Sequence, residues 1–163
     1  CHDIIVKKHR GAERLAHVRT ELCNFFASYS NVVAGAIEGP SLNSNHREFD
    51  LGEISGVLKA DFFTKGIDLI VVPPTTLKKF VTGKGQASKE QMLYSVNQKY
   101  QLSLTDDNIA DAFGLARFSL VHHNLHKLEF PVLRNELETV RNFIAPKKRK
   151  LRRPSSRQTM NNL

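Results

Sequence analysis

At 163 residues with 40% hydrophobic content, the chain can bury one core and reads as a single domain over 1–144 followed by a basic, disordered tail over 145–163. A formal charge of +8 and a pI near 9.7 favour an anionic partner, and much of the excess sits in Lys147-Lys148-Arg149-Lys150-Leu151-Arg152-Arg153. No apolar run approaches the roughly 20 residues of a bilayer crossing, no apolar signal core opens the chain, and two cysteines make no disulfide framework, so the expectation is a soluble, cytoplasmic protein without a membrane partner.

The sequence opens on Cys1 rather than Met, and residues 2–6 read as the end of a strand, so a preceding segment is expected. From Ala12 to about Ser28, Leu15, Val18, Leu22 and Phe25 recur at helical spacing. Cys23 is expected as an ordinary core thiol. Val32 to Glu38 is continuous and apolar, the pattern of a fully buried strand. Arg47 to Thr64 predicts a second helix with Phe49, Ile54, Val57, Leu58 and Phe62 as its apolar set and Gly66 as its stop. Ile67 to Val72 predicts a second buried strand, ended by Pro73-Pro74.

Thr75 to Phe80 reads as a short helix and Val81 to Ala87 as a Gly-rich loop. Ser88-Lys89-Glu90-Gln91 has the reciprocal capping pattern that opens a helix, here to about Tyr100. Asp106 or Asp107 starts the next, with Ile109, Ala112, Phe113, Ala116 and Leu120 as its apolar face. A last weak helix follows Pro131 and runs to Ile144. This order of helices and strands predicts an α/β fold with a largely parallel sheet, whose strand carboxyl ends face the ligand crevice.

Glu38 stands at such an end. Cleavage of a phosphodiester with two metal ions roughly 4 Å apart needs oxygen ligands converging from different elements, and a strand-end carboxylate facing carboxylates on a helix meets that need. Asp107 and Asp111 are four apart and Asn108 and Asp111 three apart, so either pair shares a helix face. Capping alone accounts for Asp106. Asp111 lies a turn inside the helix among Ala and Phe, where a charge is unfavourable unless a cation meets it.

These residues resemble the RuvC-type Holliday junction resolvases, in particular their phage-encoded branch, within the ribonuclease H-like superfamily. The resemblance runs from about Gly11 to Asn124. It rests on Ala36-Ile37-Glu38-Gly39, on Leu51-Gly52-Glu53-Ile54-Ser55-Gly56-Val57, on Val72-Pro73-Pro74-Thr75-Thr76-Leu77-Lys78-Lys79-Phe80-Val81-Thr82-Gly83-Lys84-Gly85 and on Asp106-Asp107-Asn108-Ile109-Ala110-Asp111-Ala112. It implies a mixed ribonuclease H-like sheet flanked by helices, with the N-terminal strand or strands lying before this sequence begins. It also implies an endonuclease dependent on Mg²⁺, with Mn²⁺ as the other candidate, that works as a homodimer. Such an enzyme resolves four-way or branched DNA by paired symmetric nicks in recombination and repair, in a bacterium or a phage-infected host cell.

By that resemblance Glu38 is the second metal ligand and Asp111 the last. The third position, acidic or His in the family, falls on Asn108. Either its neutral oxygen or the neighbouring Asp107 takes the role. The first ligand is an Asp on the first strand, and no residue here replaces it. Two further readings therefore stand beside the enzyme: a noncatalytic remnant that binds branched DNA, and a subunit completed by a separate N-terminal piece.

Lys78, Lys79, Lys84 and Lys89 surround Gly83 and Gly85, a loop suited to phosphate contact, with no Phe or Tyr beyond Phe80 to stack bases. The phosphate-binding loop of nucleoside triphosphatases is ruled out, since the full Gly-x4-Gly-Lys-Ser/Thr pattern is missing. The resemblance puts Lys78 and Lys89 beside the scissile phosphate, where either stabilises developing charge, and Ser41 and Leu42 where relatives bear an aromatic wedge. It also puts the helix of Gly52 and Gly56 at the dimer interface; the other reading of those glycines is tight packing against the sheet. His122, His123 and His126 read as helix-end residues rather than metal ligands, and the tail as a nuclear address or a nonspecific DNA arm.

Overall fold

A computed structural model describes residues 9–29, 31–40, 48–125 and 131–145. The expected strand at 2–6, Ser41, Leu42, His126 and the basic tail lie outside the described residues.

Helical spacing of apolar residues closes α1 (Gly11–Ser28), with Val18 and Leu22 buried and Leu15 and Phe25 partly so. Cys23 is exposed, against expectation, because it follows Leu22 by one position, about 100° round the helix from the buried stripe. The apolar runs become β1 (Ala34–Glu38) and β2 (Asp68–Val72), joined through α2 (Glu48–Thr64). Gly66 has φ 68°, the left-handed conformation that ends α2 at little cost. The two strands pair in parallel, with Ala34 opposite Asp68 and Glu38 opposite Val72.

Both strands are shorter and shallower than full burial implies. Ala34, Gly35, Ala36 and Ile37 are only partly covered and Glu38 is exposed, because among the described residues β1 pairs with β2 alone and its other edge carries no strand. An apolar groove of about 470 Å³ runs beside that edge, lined in part by Phe25, Ala36, Phe62, Ala112, Ala116 and Leu120.

The second half of the chain supplies most of the core. Helices α3 (Pro74–Thr82), α4 (Lys89–Tyr100), α5 (Asp107–His122) and α6 (Arg134–Ile144) enclose Leu77, Phe80, Met92, Val96, Phe118 and Val140. The expected face of α5 needs correction: its buried positions are Ala110, Gly114, Arg117, Phe118, Ser119 and Val121. Packing against β1 on one side and against α3, α4 and α6 on others gives α5 two apolar faces. Ala112, Ala116 and Leu120 belong to the one that lines the groove. A Cβ at Gly114 would lie 2.9 Å from Val81 Cγ2, so the missing side chain is what brings α5 against α3.

An ion pair sits inside this core. Arg117 and Glu136 are 4% and 0% exposed at the side chain. Arg117 donates from Nε at 3.1 Å and from Nη2 at 3.0 Å to the carboxylate, the Leu133 N–H adds a bond of 2.8 Å, and the Tyr100 hydroxyl donates to Glu136 Oε1.

Helices α1 and α2 are tied by Arg14 to Asp50 and Glu53 and by Arg19 to Asp61. A Cβ on Gly52 or Gly56 would meet nothing within 4 Å. Both glycines are exposed, so the reading that packs them tightly against the sheet is corrected.

Candidate active site

The two strands stop together. Opposite Glu38 lies Val72, the Gly39 N–H donates to Val72 O at 2.8 Å, and Pro40 and Pro73 end both ladders because neither can donate to a further pairing. A Cβ on Gly39 would meet Val71 Cγ1 at 3.2 Å. Glu38 is thus presented at the carboxyl ends of the parallel strands, where open α/β sheets bind ligands.

Two helix starts flank this edge. Pro74 occupies the first turn of α3, as a residue without an N–H can, and puts Lys78 about one turn inside. Asp106 caps α5 by accepting from the Asn108 N–H at 2.7 Å. Asp107 and Asn108 then fall in the first turn and Asp111 in the next, on a helix packed against β1. On α4, Ser88 and Gln91 cap each other reciprocally at 3.3 and 3.0 Å, which fixes the start of the helix at Lys89.

These elements bring five expected residues into electrostatic range of one another. Burial, and then the negative charge of Asp111, raises the Glu38 carboxyl above its ordinary value; Lys78 and Lys89 partly offset both. Asp111 is likewise raised by burial and then by Asp107, again offset by Lys89 and Lys78. Lys89 hydrogen-bonds to Asp107, lowering that carboxyl and raising its own ammonium. The site is a pair of carboxylates, Asp111 partly buried and Glu38 at the exposed end of its strand, with Asp107 and two lysines close by.

The remaining expected residues stand apart from this pair. The Asn108 side chain is exposed, its backbone N–H engaged by Asp106. Lys79 lines a groove with Thr75, Gly85, Thr139 and Asn142, and Lys84 lines one between the loop and α4. His123 spends its ring nitrogens on Ser119 O at 2.8 Å and Asp68 Oδ2 at 2.9 Å, pinning the end of α5 to the start of β2, while Glu38 ends the neighbouring strand.

Anionic oxygens brought near one another from a strand end and a helix are donors that a divalent cation favours. Glu38 and Asp111 fit one side of such a coordination sphere. Among the described residues no three His, Cys, Asp or Glu side chains stand close enough to enclose an ion.

The sequence model of the family "Crossover junction endodeoxyribonuclease RuvC" matches residues 2–120. Relatives of that description include one from Rickettsia prowazekii, 34% identical over 124 residues that cover 71% of this chain and 77% of the relative. Another, from Chlorobium phaeobacteroides, is 30% identical over 123 residues covering 72% of this chain and 65% of the relative. The chain therefore spans roughly two thirds to three quarters of the relatives it matches. Among solved structures, the fold is similar to that of Thermus thermophilus RuvC, with a TM-score of 0.58 at 20% identity over 69% of each chain. It is also similar to T. thermophilus RuvC in complex with a Holliday junction substrate, with a TM-score of 0.56 at 18% identity over 69% of each chain.

Proposed function

Because the chain belongs to the RuvC family of crossover junction endodeoxyribonucleases, we propose that it is a divalent-metal-dependent endonuclease that resolves Holliday junctions or other branched DNA by paired symmetric nicks, serving recombination and repair. The observation that carries the reading is the placing of Glu38, at the end of β1, and Asp111, on the helix packed against that strand, within electrostatic range of each other and of Lys78 and Lys89.

In this reading Glu38 and Asp111 hold the ion. The next ligand is Asp107, whose negative charge reaches Asp111 and suits a divalent cation better than the neutral amide oxygen of Asn108. To hold a cation Asp107 would have to give up its bond to Lys89, which would leave the Lys89 ammonium available to a phosphate. When bound, Mg²⁺ supplies Lewis-acid polarisation of the phosphoryl oxygens and acidifies the attacking water. Lys78 and Lys89 orient the scissile phosphate and stabilise the charge that grows on its oxygens, Lys89 once it has left Asp107. Lys79 and Lys84 hold flanking phosphates without reading sequence.

Paired nicks require two copies. The outward face of α2 offers a surface for a second chain: Gly52 and Gly56 leave its backbone bare, and Phe63 further along is 86% exposed. Gly56→Glu is expected to convert a dimer into a monomer in analytical ultracentrifugation, with thermal stability of the monomer unchanged. A dimer that survives the change would remove α2 from the interface.

The deciding experiment incubates the full chain with a synthetic four-way junction and with linear duplex of the same sequence, in Mg²⁺, in Mn²⁺ and in EDTA. Nicks on opposing strands of the junction, dependent on metal and absent from the duplex, are the expected result. A second reading rests on the ligand count: among the described residues no three His, Cys, Asp or Glu side chains stand close enough to enclose an ion. Tight junction binding with no nicking in any metal would favour that noncatalytic, branched-DNA-binding role. Nicking restored by adding a separate N-terminal piece of a relative would favour a subunit completed from outside.

A further inference from the structure

The aromatic expected nearest the basic loop, Phe80, is fully buried in the core and cannot meet DNA. Tyr94 can. It projects from α4 with 67% of its surface exposed, and it lines a groove of about 310 Å³ with Thr82, Lys84, Glu90, Gln91 and Ser95. Among the described residues its ring has no aromatic neighbour and its hydroxyl no hydrogen-bond partner, so neither packing nor a polar network accounts for its position.

Both walls of the groove are fixed in advance. On the loop side, Gly83 takes the left-handed conformation at φ 83°. The Thr82 hydroxyl donates to Lys78 O at 2.8 Å and accepts from the Lys84 N–H at 3.0 Å. The Lys84 side chain makes no ion pair among the described residues. On the helix side, the Ser88–Gln91 cap sets the first turn, and Tyr94 neighbours Gln91 at i−3 and Glu90 at i−4.

The lining of the groove therefore includes a cation without an ion pair among the described residues, an exposed flat ring, and a carboxylate, Glu90, that repels a phosphate from the helix side while accepting from a base amino group. A paired duplex keeps its base faces stacked and has no use for the ring. A nucleotide turned out of its helix matches all three features, because every base has a face to stack and carries one phosphate to seat.

We propose that Tyr94 is the stacking platform for an unpaired base of branched DNA, with Lys84 holding the phosphate of the same nucleotide. The inference rests on the nucleic-acid reading above and deepens it. Tyr94 stands five residues beyond Lys89, about 7.5 Å along the α4 axis and about 140° round it, so the nucleotide lies beside the carboxylates rather than over them. Its role is to select branched over linear DNA, not to assist the chemistry.

The test titrates the full chain, in EDTA at fixed salt, with a four-way junction carrying 2-aminopurine at single positions around the branch point, and with linear duplex. Tyr94→Ala is expected to weaken junction binding roughly tenfold, a typical loss for one base–aromatic stack, and to abolish quenching of one 2-aminopurine. Tyr94→Phe should retain both, and duplex affinity should not move. Lys84→Ala is expected to weaken junction binding and lower the salt dependence by about one phosphate contact. Far-UV circular dichroism confirms that the variants fold, as the exposure of both side chains leads one to expect. If the wild-type chain favours the junction over duplex and Tyr94→Ala binds it equally well, the platform is refuted while the nucleic-acid reading stands. Equal losses on junction and duplex would also refute it. A wild-type chain that binds neither overturns both.

Discussion

Glu136→Ala is expected to destabilise the fold by about 3–5 kcal/mol, the usual penalty for removing one partner of a buried ion pair, read as a fall in the urea midpoint by circular dichroism. Its carboxylate accepts from Arg117 Nε and Nη2, from the Leu133 N–H and from the Tyr100 hydroxyl. Deleting it strands an Arg117 guanidinium that is 4% exposed, with the carbonyl of Pro131 at 2.9 Å and the Tyr100 ring, 5.1 Å to its centroid, as poor substitutes for an anion. Replacing both partners, Arg117→Met with Glu136→Leu, should recover most of the loss, because the desolvation penalty goes with the charges. A single substitution that leaves the midpoint within about 0.5 kcal/mol of wild type would remove the pair from the account of stability. The pair also sets an acid limit. Burial disfavours the charged form of Glu136, but the bonds from Arg117, Tyr100 and the Leu133 backbone outweigh it and hold the carboxyl below its ordinary value of 4.5. A carboxylate depressed in the folded state contributes stability in full above the unfolded value, and that contribution fades as pH falls through the folded one. The acid limb of the stability–pH curve, below about 4.5, should therefore flatten in Glu136→Gln.

What could be read from the sequence was what short stretches of chain decide by themselves. Ser88 and Gln91 cap each other, Asp106 caps α5, and Gly66 takes the positive φ that stops α2; each answers to bonds within a few residues of itself. The α/β order, and the placing of Glu38 at a strand end, follow from the apolar runs and the prolines that terminate them. Burial depth depends on neighbours that no local pattern announces. β1 is half-covered because one of its edges carries no strand among the described residues. The buried face of α5 was misjudged because two layers pack on that helix. The partnership of Arg117 with Glu136 joins two helices, and a charged residue amid the apolar run of α5 was the one hint of it. Tyr94 escaped notice for the same reason: its meaning comes from a loop folded beside it. Of the candidate site, Glu38, Asp111, Asp107, Lys78 and Lys89 come within electrostatic range, while Lys79 and Lys84 line other grooves and the Asn108 side chain is exposed.

Asp111→Asn carries the largest expected effect on activity: if Asp111 holds the metal as proposed, nicking of a junction should fall at least a hundredfold, about 3 kcal/mol or more of transition-state stabilisation. The direction of the accompanying changes distinguishes this from a structural lesion. Asp111 is raised by burial and by the nearby Asp107 charge, so in the absence of metal its ionised form is held against the preference of its surroundings. Neutralising it removes a desolvated charge and relieves Glu38, whose carboxyl Asp111 raises. Thermal stability in EDTA should thus be unchanged or higher, and junction affinity in EDTA equal or tighter, since one fewer anion faces the phosphates. Glu38→Gln should behave in the same way, and the double variant should be scarcely worse than either single one, because two ligands of one ion fail together rather than additively. An Asp111→Asn protein that nicks within tenfold of wild type would show that the chemistry lies elsewhere. One that loses activity and stability together would make Asp111 a packing residue. Inactivity with undiminished stability and undiminished junction binding is the outcome that only a carboxylate reserved for the reaction produces.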